Sequence, residues 1–192
     1  METLKEIKFD IDRIILQLFI PGIFVVVPFF LLFVQSFASI KEYFLKSEGI
    51  TTVALFILSI TVGLILEDFG SLIEVKFWDA LNKKKYPEID DEWEAYLKLD
   101  LPSNCDLVAQ RYLRTILVRM KFELSFSISL ILMTIGLIIL NLNFPFSNFG
   151  LPFYFYGIIL PLIIASYVLY ESKISSELML KTRKKIIDKF KK

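Results

Sequence analysis

Four polar side chains share one face of an otherwise apolar stretch: Glu123, Ser127, Thr134 and Asn141. At about 100° per residue on a helix they lie within about 40° of one another. Such a row can line a water path across a membrane, because an ion needs oxygen ligands where lipid offers none. It can also bind helices together, since Ser and Thr hydroxyls return to backbone carbonyls and polar groups link apolar helices. Ser125 and Ser129 point elsewhere on the same stretch and serve as references. A second cluster, Glu67, Asp68 and Glu74, follows another apolar run. There Ser59, Gly63, Glu67, Gly70 and Glu74 fall on one helix face, and carboxylates at a membrane edge are costly toward lipid. The cluster reads as the vestibule of a path, or as an anionic helix end paired with Arg111, Arg114 or Arg119.

Composition excludes much other chemistry. The chain has no histidine, which removes the commonest general base and the commonest metal ligand. Its single cysteine, Cys105, has no partner for an intrachain disulfide. No glycine-rich phosphate loop occurs. Intramembrane aspartyl chemistry needs paired carboxylates inside the membrane, and Glu67 and Asp68 are adjacent, so their side chains diverge. The lack of an inverted repeat and of any ionisable residue at mid-membrane argues against a transporter. The expectation is therefore no enzyme, no cofactor, no metal and no specific nucleic-acid partner.

The elements that must position these residues are membrane spans. Hydrophobic residues make up 55% of the chain and mean hydropathy is +0.60. Most of them fall in Ile14–Phe37, Ile50–Leu66, Leu124–Leu142 and Leu151–Tyr170, none of which holds a charge. Each run approaches or exceeds the ~20 residues that cross a ~30 Å hydrocarbon core, and backbone in lipid must be helical to satisfy its polar groups. Spans are expected near 14–38, 50–72, 122–142 and 151–171. The first run is not read as a signal peptide, because its flank Met1–Arg13 carries four acids against three bases and the run is too long. Pro21-Gly22 and Pro28 should kink it.

Charge sets the orientation. Of the 22 Lys and Arg residues, only Lys41 and Lys46 fall between the first two spans. None lies in Asn143–Gly150, so both ends and the middle segment are expected in the cytoplasm. For a bacterial protein that membrane is the inner one. The middle segment, 73–121, reads as helical. The second span should project past the membrane through Trp78 and Leu81. A short helix fits Glu88–Leu99, with Ile89, Trp93 and Leu97 on one side. A third starts near the S-x-x-D spacing of Ser103 and Asp106 and runs straight into the third span. The fourth span should continue into the tail, 172–192. Phe153–Phe190 as one helix would be roughly 55 Å long.

Glu88–Asp106 carries seven acids and one base, and Ser172–Lys192 eight bases and two acids. These elements can pair within a subunit or between subunits, stay solvated, or, for the basic tail, meet anionic lipid. Together the features predict an all-α protein: a bundle of four transmembrane helices over residues 1–72 and 122–171, extending into a small cytoplasmic helical region. The bilayer and further copies of the chain are the expected partners, with a cytosolic protein as a further one. The assembly expected is a trimer to pentamer.

The stretch Leu66–Glu74, LEDFGSLIE, followed by an amphipathic insertion, resembles small four-span bacterial membrane proteins. Some proteins of that layout are effectors of antiphage abortive-infection systems of the Hailong type. The resemblance implies a membrane oligomer held silent by a partner and then opening a pore. The competing expectation from the residues is a membrane-anchored module that docks a cytosolic partner through Glu74–Arg119 and the basic tail.

Overall fold

The computed structural model describes residues 14–37, 42, 44, 46–88, 94, 96, 107–145 and 152–190. Among them there are helices and no strand. A π-helical stretch, Ile14–Phe19, leads into α1 (Ile20–Ser36). α2 (Glu48–Ile73) passes through π-helical Glu74–Trp78 into α3 (Asp79–Lys85). α4 is Leu107–Asn143, and π-helical Phe153–Ile159 leads into α5 (Leu160–Phe190). The helix of the second span thus runs on through Trp78 and Leu81, and that of the third begins well before its apolar run. The short helix expected at Glu88–Leu99 and the cap at Ser103 and Asp106 lie outside the described residues, except for Glu88, Glu94 and Tyr96.

Four helices are long and apolar enough to cross a membrane: Gln17–Ser36, Glu48–Lys85, Arg111–Asn143 and Tyr154–Asp188. The chain is a multi-pass membrane protein with a helical bundle. Two of the π-helical stretches have a common cause. Ile14–Phe19 ends two residues before Pro21, and Phe153–Ile159 ends two residues before Pro161. A proline lacks the N–H for the bond to residue i−4, and its ring crowds that carbonyl, so the preceding turn widens.

α4 is the axis of the bundle. It packs against α1, α2 and α5, and α5 packs chiefly against α4. Half of α4's membrane window is buried, against 17% for the spans of α2 and α5. The outer faces of those two helices carry large exposed apolar residues such as Ile57, Ile65, Ile163 and Tyr167, as lipid contact requires.

α1 and α2 cross backbone to backbone. A Cβ on Gly22 would run into the carbonyl of Ser59, and one on Gly63 into the carbonyl of Leu18. Side chains are what normally hold helices apart, so glycine at both sites permits this approach. The small-residue face of the second span is therefore used inside one copy of the chain. Ser59, Gly63 and Gly70 are all buried there, and that face is not available to a second copy. Gly136 of α4 similarly receives Pro28 and Phe29 of α1.

The crossing gives a direct stability test. Gly63→Ala should lower stability by about 1–3 kcal/mol through overpacking, and Gly63→Leu should prevent folding. Gly49→Ala should be nearly neutral, since a Cβ there meets nothing. Thermal unfolding in detergent would read all three, and equal effects at positions 49 and 63 would contradict the crossing.

Candidate functional site

The charged residues at the spans' ends form a belt at one level of the bundle. Glu123 on α4 is the centre. Its side chain is 8% exposed. It accepts from Arg119 Nε at 2.6 Å and from Ser175 Oγ of α5 at 2.7 Å. The guanidinium of Arg119 also donates to Glu171 at 2.9 Å. On the other side of α4, Lys121 pairs with Glu67 of α2 at 3.1 Å. Gln17, fully buried, donates to the Val118 carbonyl at 2.9 Å and brings the start of the first span to the same level. A buried carboxylate is tolerated only when paired and hydrogen-bonded, and Glu123 has both kinds of partner.

The belt marks the edge of the apolar slab. From Gln17 to Phe37, and from Glu123 to Asn143, is 20 residues. From Glu67 back to Glu48, and from Glu171 back to Pro152, is 19. At about 1.5 Å per residue all four helices cover about 30 Å between the belt and their far ends, the thickness of a hydrocarbon core.

α5 is held at the belt by more than one helix. Besides Arg119 and Glu123, α3 reaches it: Asn82 Nδ2 donates to Ser176 Oγ at 2.9 Å, and Lys85 pairs with Glu177 at 3.2 Å. Residues 171–177 of α5 are thus gripped between α4 and α3. Ser172, Ser175 and Ser176 are all buried in that grip. These serines and Asn82 are not among the residues the sequence singles out. Their spacing puts Ser172, Ser175 and Ser176 on one face of the tail helix, which was the available signal.

The four stripe residues are brought together on the face of α4 that meets α5. Glu123 and Ser127 are buried, Thr134 is 2% exposed, and Asn141 is half-buried. Thr134 Oγ1 donates to the Leu130 carbonyl at 2.8 Å, a bond within its own helix. Ser127 Oγ is buried with no hydrogen-bond partner. The antiparallel register set by Glu123 and Ser175 puts Ser127 within one residue of the level of Ser172, and Thr134 within one residue of that of Ala165. Both Ser172 and Ala165 are buried. The stripe is therefore a seam between small and hydroxyl-bearing faces of α4 and α5. A path along it requires the two helices to part. Ser125 and Ser129 lie on the opposite face, but they too are buried, Ser125 against Gly70. They are not inert references; lipid-facing Ile131, Ile135 and Ile138 are.

The three vestibule carboxylates separate. Glu67 is bound to Lys121, and Asp68 is exposed on the surface of α2. Glu74 alone faces a cavity of about 620 Å³ beyond the belt, between the ends of α3, α4 and α5. Asp79 and Lys83 share its α3 wall, Arg114 comes from α4, Arg183 from α5, and Tyr96, from the segment between α3 and α4, lines it as well. Nothing in the sequence signalled this cavity, because it depends on how three helix ends diverge. Among the described residues no three carboxylates sit close enough together to hold a metal ion. Comparison of the chain with family models, curated proteins and solved structures finds no match.

The Glu123 network predicts a measurable coupling. Glu123→Ala and Ser175→Ala should each lower stability, and a double-mutant cycle should return a coupling of about 1–2 kcal/mol. Chemical unfolding in mixed micelles would measure it. Strictly additive effects would show that the buried bond is not formed.

Proposed function

We propose that the protein is a membrane-anchored interaction module whose charged, cytoplasmic end docks a cytosolic partner. The cavity beyond the belt carries this reading. It lies where three helices leave the membrane, and its volume falls within the ~300–1,000 Å³ range of sites that take ligands. Its walls combine apolar surface with charges of both signs. The orientation follows from the placement of Lys and Arg residues. The grip on residues 171–177 supports the reading, because it ties the walls of the cavity to the spans.

A second reading, an oligomeric ion-conducting effector of the bacterial inner membrane, is favoured by one specific atom. Ser127 Oγ is buried without a partner in the α4–α5 seam. A buried polar atom left unpaired has a cost that water would remove. In this reading the seam itself opens, and Glu123, Ser127, Thr134 and Asn141 meet water as α5 moves. A fixed central pore among copies does not suit these residues, since a pore-lining residue must stand on the surface of its own subunit.

Site-specific photo-crosslinking in cells separates the two readings. A benzophenone side chain at Leu117 or Leu180, both on the cavity wall, should give a discrete protein adduct. The same group at lipid-facing Ile135 should not, and proteoliposomes of the pure protein should hold an ion gradient. Absence of adducts together with ion flux that Thr134→Leu reduces would reject docking in favour of the opening seam.

A further inference from the structure

We infer that the segment Glu74–Lys85 lies along the membrane surface and docks on anionic lipid headgroups of the cytoplasmic leaflet. The inference is independent of the docking reading, because it concerns the face of α3 turned away from the cavity.

Two contacts fix the course of this segment. Before it, Gly70 packs on α4: a Cβ there would lie 3.2 Å from that of Leu124 and 3.5 Å from the Ser125 hydroxyl. Near its end, Asn82 donates to Ser176, the neighbour of the Ser175 that bonds Glu123. Residues 123–125 of α4 therefore mark the level of both points. Twelve residues, about 18 Å of helix, separate Gly70 from Asn82. Run straight along α4, they would carry Asn82 out to the level of Tyr112. Instead the helix gains little more height than the short side chains of Asn82 and Ser176 span. Lys85 and Glu177 repeat the result three residues later. The extension thus travels sideways across the end of the bundle. Between the two contacts the α-helix is interrupted at π-helical Glu74–Trp78, the kind of turn at which helices bend. The bend accounts for a π-helical stretch that does not lead into a proline.

Depth and composition name the partner. The belt marks the edge of the hydrocarbon core, and the headgroup layer adds only about 5–8 Å on each side. A helix about 10 Å across, held at the level of the belt, lies in that layer. Asp79 and Lys83 face the cavity. Phe77, Leu81 and Lys84, at i, i+4 and i+7, form the opposite face, and all three are exposed. Phe77 is 60% exposed and Leu81 46%. At the interface such groups reach the acyl boundary while lysine ends stay among the phosphates. Lys76, exposed beside Phe77, adds a further base. The two acids of the segment, Glu74 and Asp79, both stand on the cavity wall. The outward face therefore carries positive charge alone, which selects anionic lipid.

The test uses the full chain in a Cys105→Ser background, one copy per nanodisc of phosphatidylcholine and phosphatidylglycerol. Single nitroxide labels are placed through Phe77→Cys and Leu81→Cys. Tyr112→Cys, beyond the belt on α4, and lipid-facing Ile135→Cys are the references. Collision with lipid-soluble oxygen and with a water-soluble nickel chelate gives the depth of each label. Labels at 77 and 81 should report depths between those at 112 and 135. A bimane at Leu81→Cys then reads headgroup chemistry, through quenching by lipids brominated high on the acyl chain. Brominated phosphatidylglycerol diluted in phosphatidylcholine should quench at least about threefold more than the same fraction of brominated phosphatidylcholine. Lys76→Gln with Lys84→Gln should bring the two lipids to parity while the labels keep their depth, and size-exclusion profiles check that the variant is folded. Labels at 77 and 81 as open to the nickel chelate as that at 112, or shielded from both agents by protein, would overturn the inference. So would equal quenching by the two lipids with the lysines intact.

Discussion

Everything in this bundle is arranged around the need to keep Glu123 paired at the edge of an apolar slab. A carboxylate that is 8% exposed cannot stand alone there. Arg119 supplies charge and Ser175 supplies a neutral donor from another helix. Arg119 then draws in Glu171, while Lys121 joins Glu67 to the other side of the same helix. These contacts fix the axial level of α2 and α5 against α4, and Gln17 fixes that of the first span. Apolar packing within lipid sets no such level, because one Leu face slides on another at little cost. Directional polar bonds at one height set the register of the spans.

The axial role of α4 follows from its having two opposed small-residue faces. Ser125, Ser129 and Gly136 accommodate α2 and α1, and Ser127 and Thr134 accommodate α5. Close approach on both sides makes α4 the most buried span. The two sides differ in kind. Toward α1 and α2 the contact is broad, and the Gly22 and Gly63 crossing locks it. Toward α5 it is a single seam, with a hydroxyl left unpaired at Ser127. The grip on residues 171–177 lies between the cavity and that seam.

The spans, their ends and their helical extensions were legible in the sequence because they depend on local properties: run length, missing charge and missing breakers. The polar stripe on α4 was legible for the same reason, as residues on one helix share a phase. What faced the stripe was not. Ser172, Ser175 and Ala165 belong to a helix whose pairing with α4 no local pattern specifies. The carboxylate cluster reads as a vestibule or as a helix end paired with an arginine, and Glu67 pairs with Lys121, since the choice between bases two to ten residues apart depends on helix rotation. Likewise Ser59 and Gly63 suggested close packing but not the partner, which proved to be Gly22 of the same chain.

The central claim is that the polar belt lies at the cytoplasmic edge of the membrane, with the cavity outside it. Labelling of single cysteines along α4, in a Cys105→Ser background, tests this most directly. A membrane-impermeant maleimide applied to inside-out vesicles should label cysteines at Tyr112 and Arg114. It should label none at Ile131, Ile135 or Ile138, and should reach Asn143 only in right-side-out vesicles. Labelling at Arg114 from the right-side-out face, or at Ile131 from either side in the resting protein, would contradict the account.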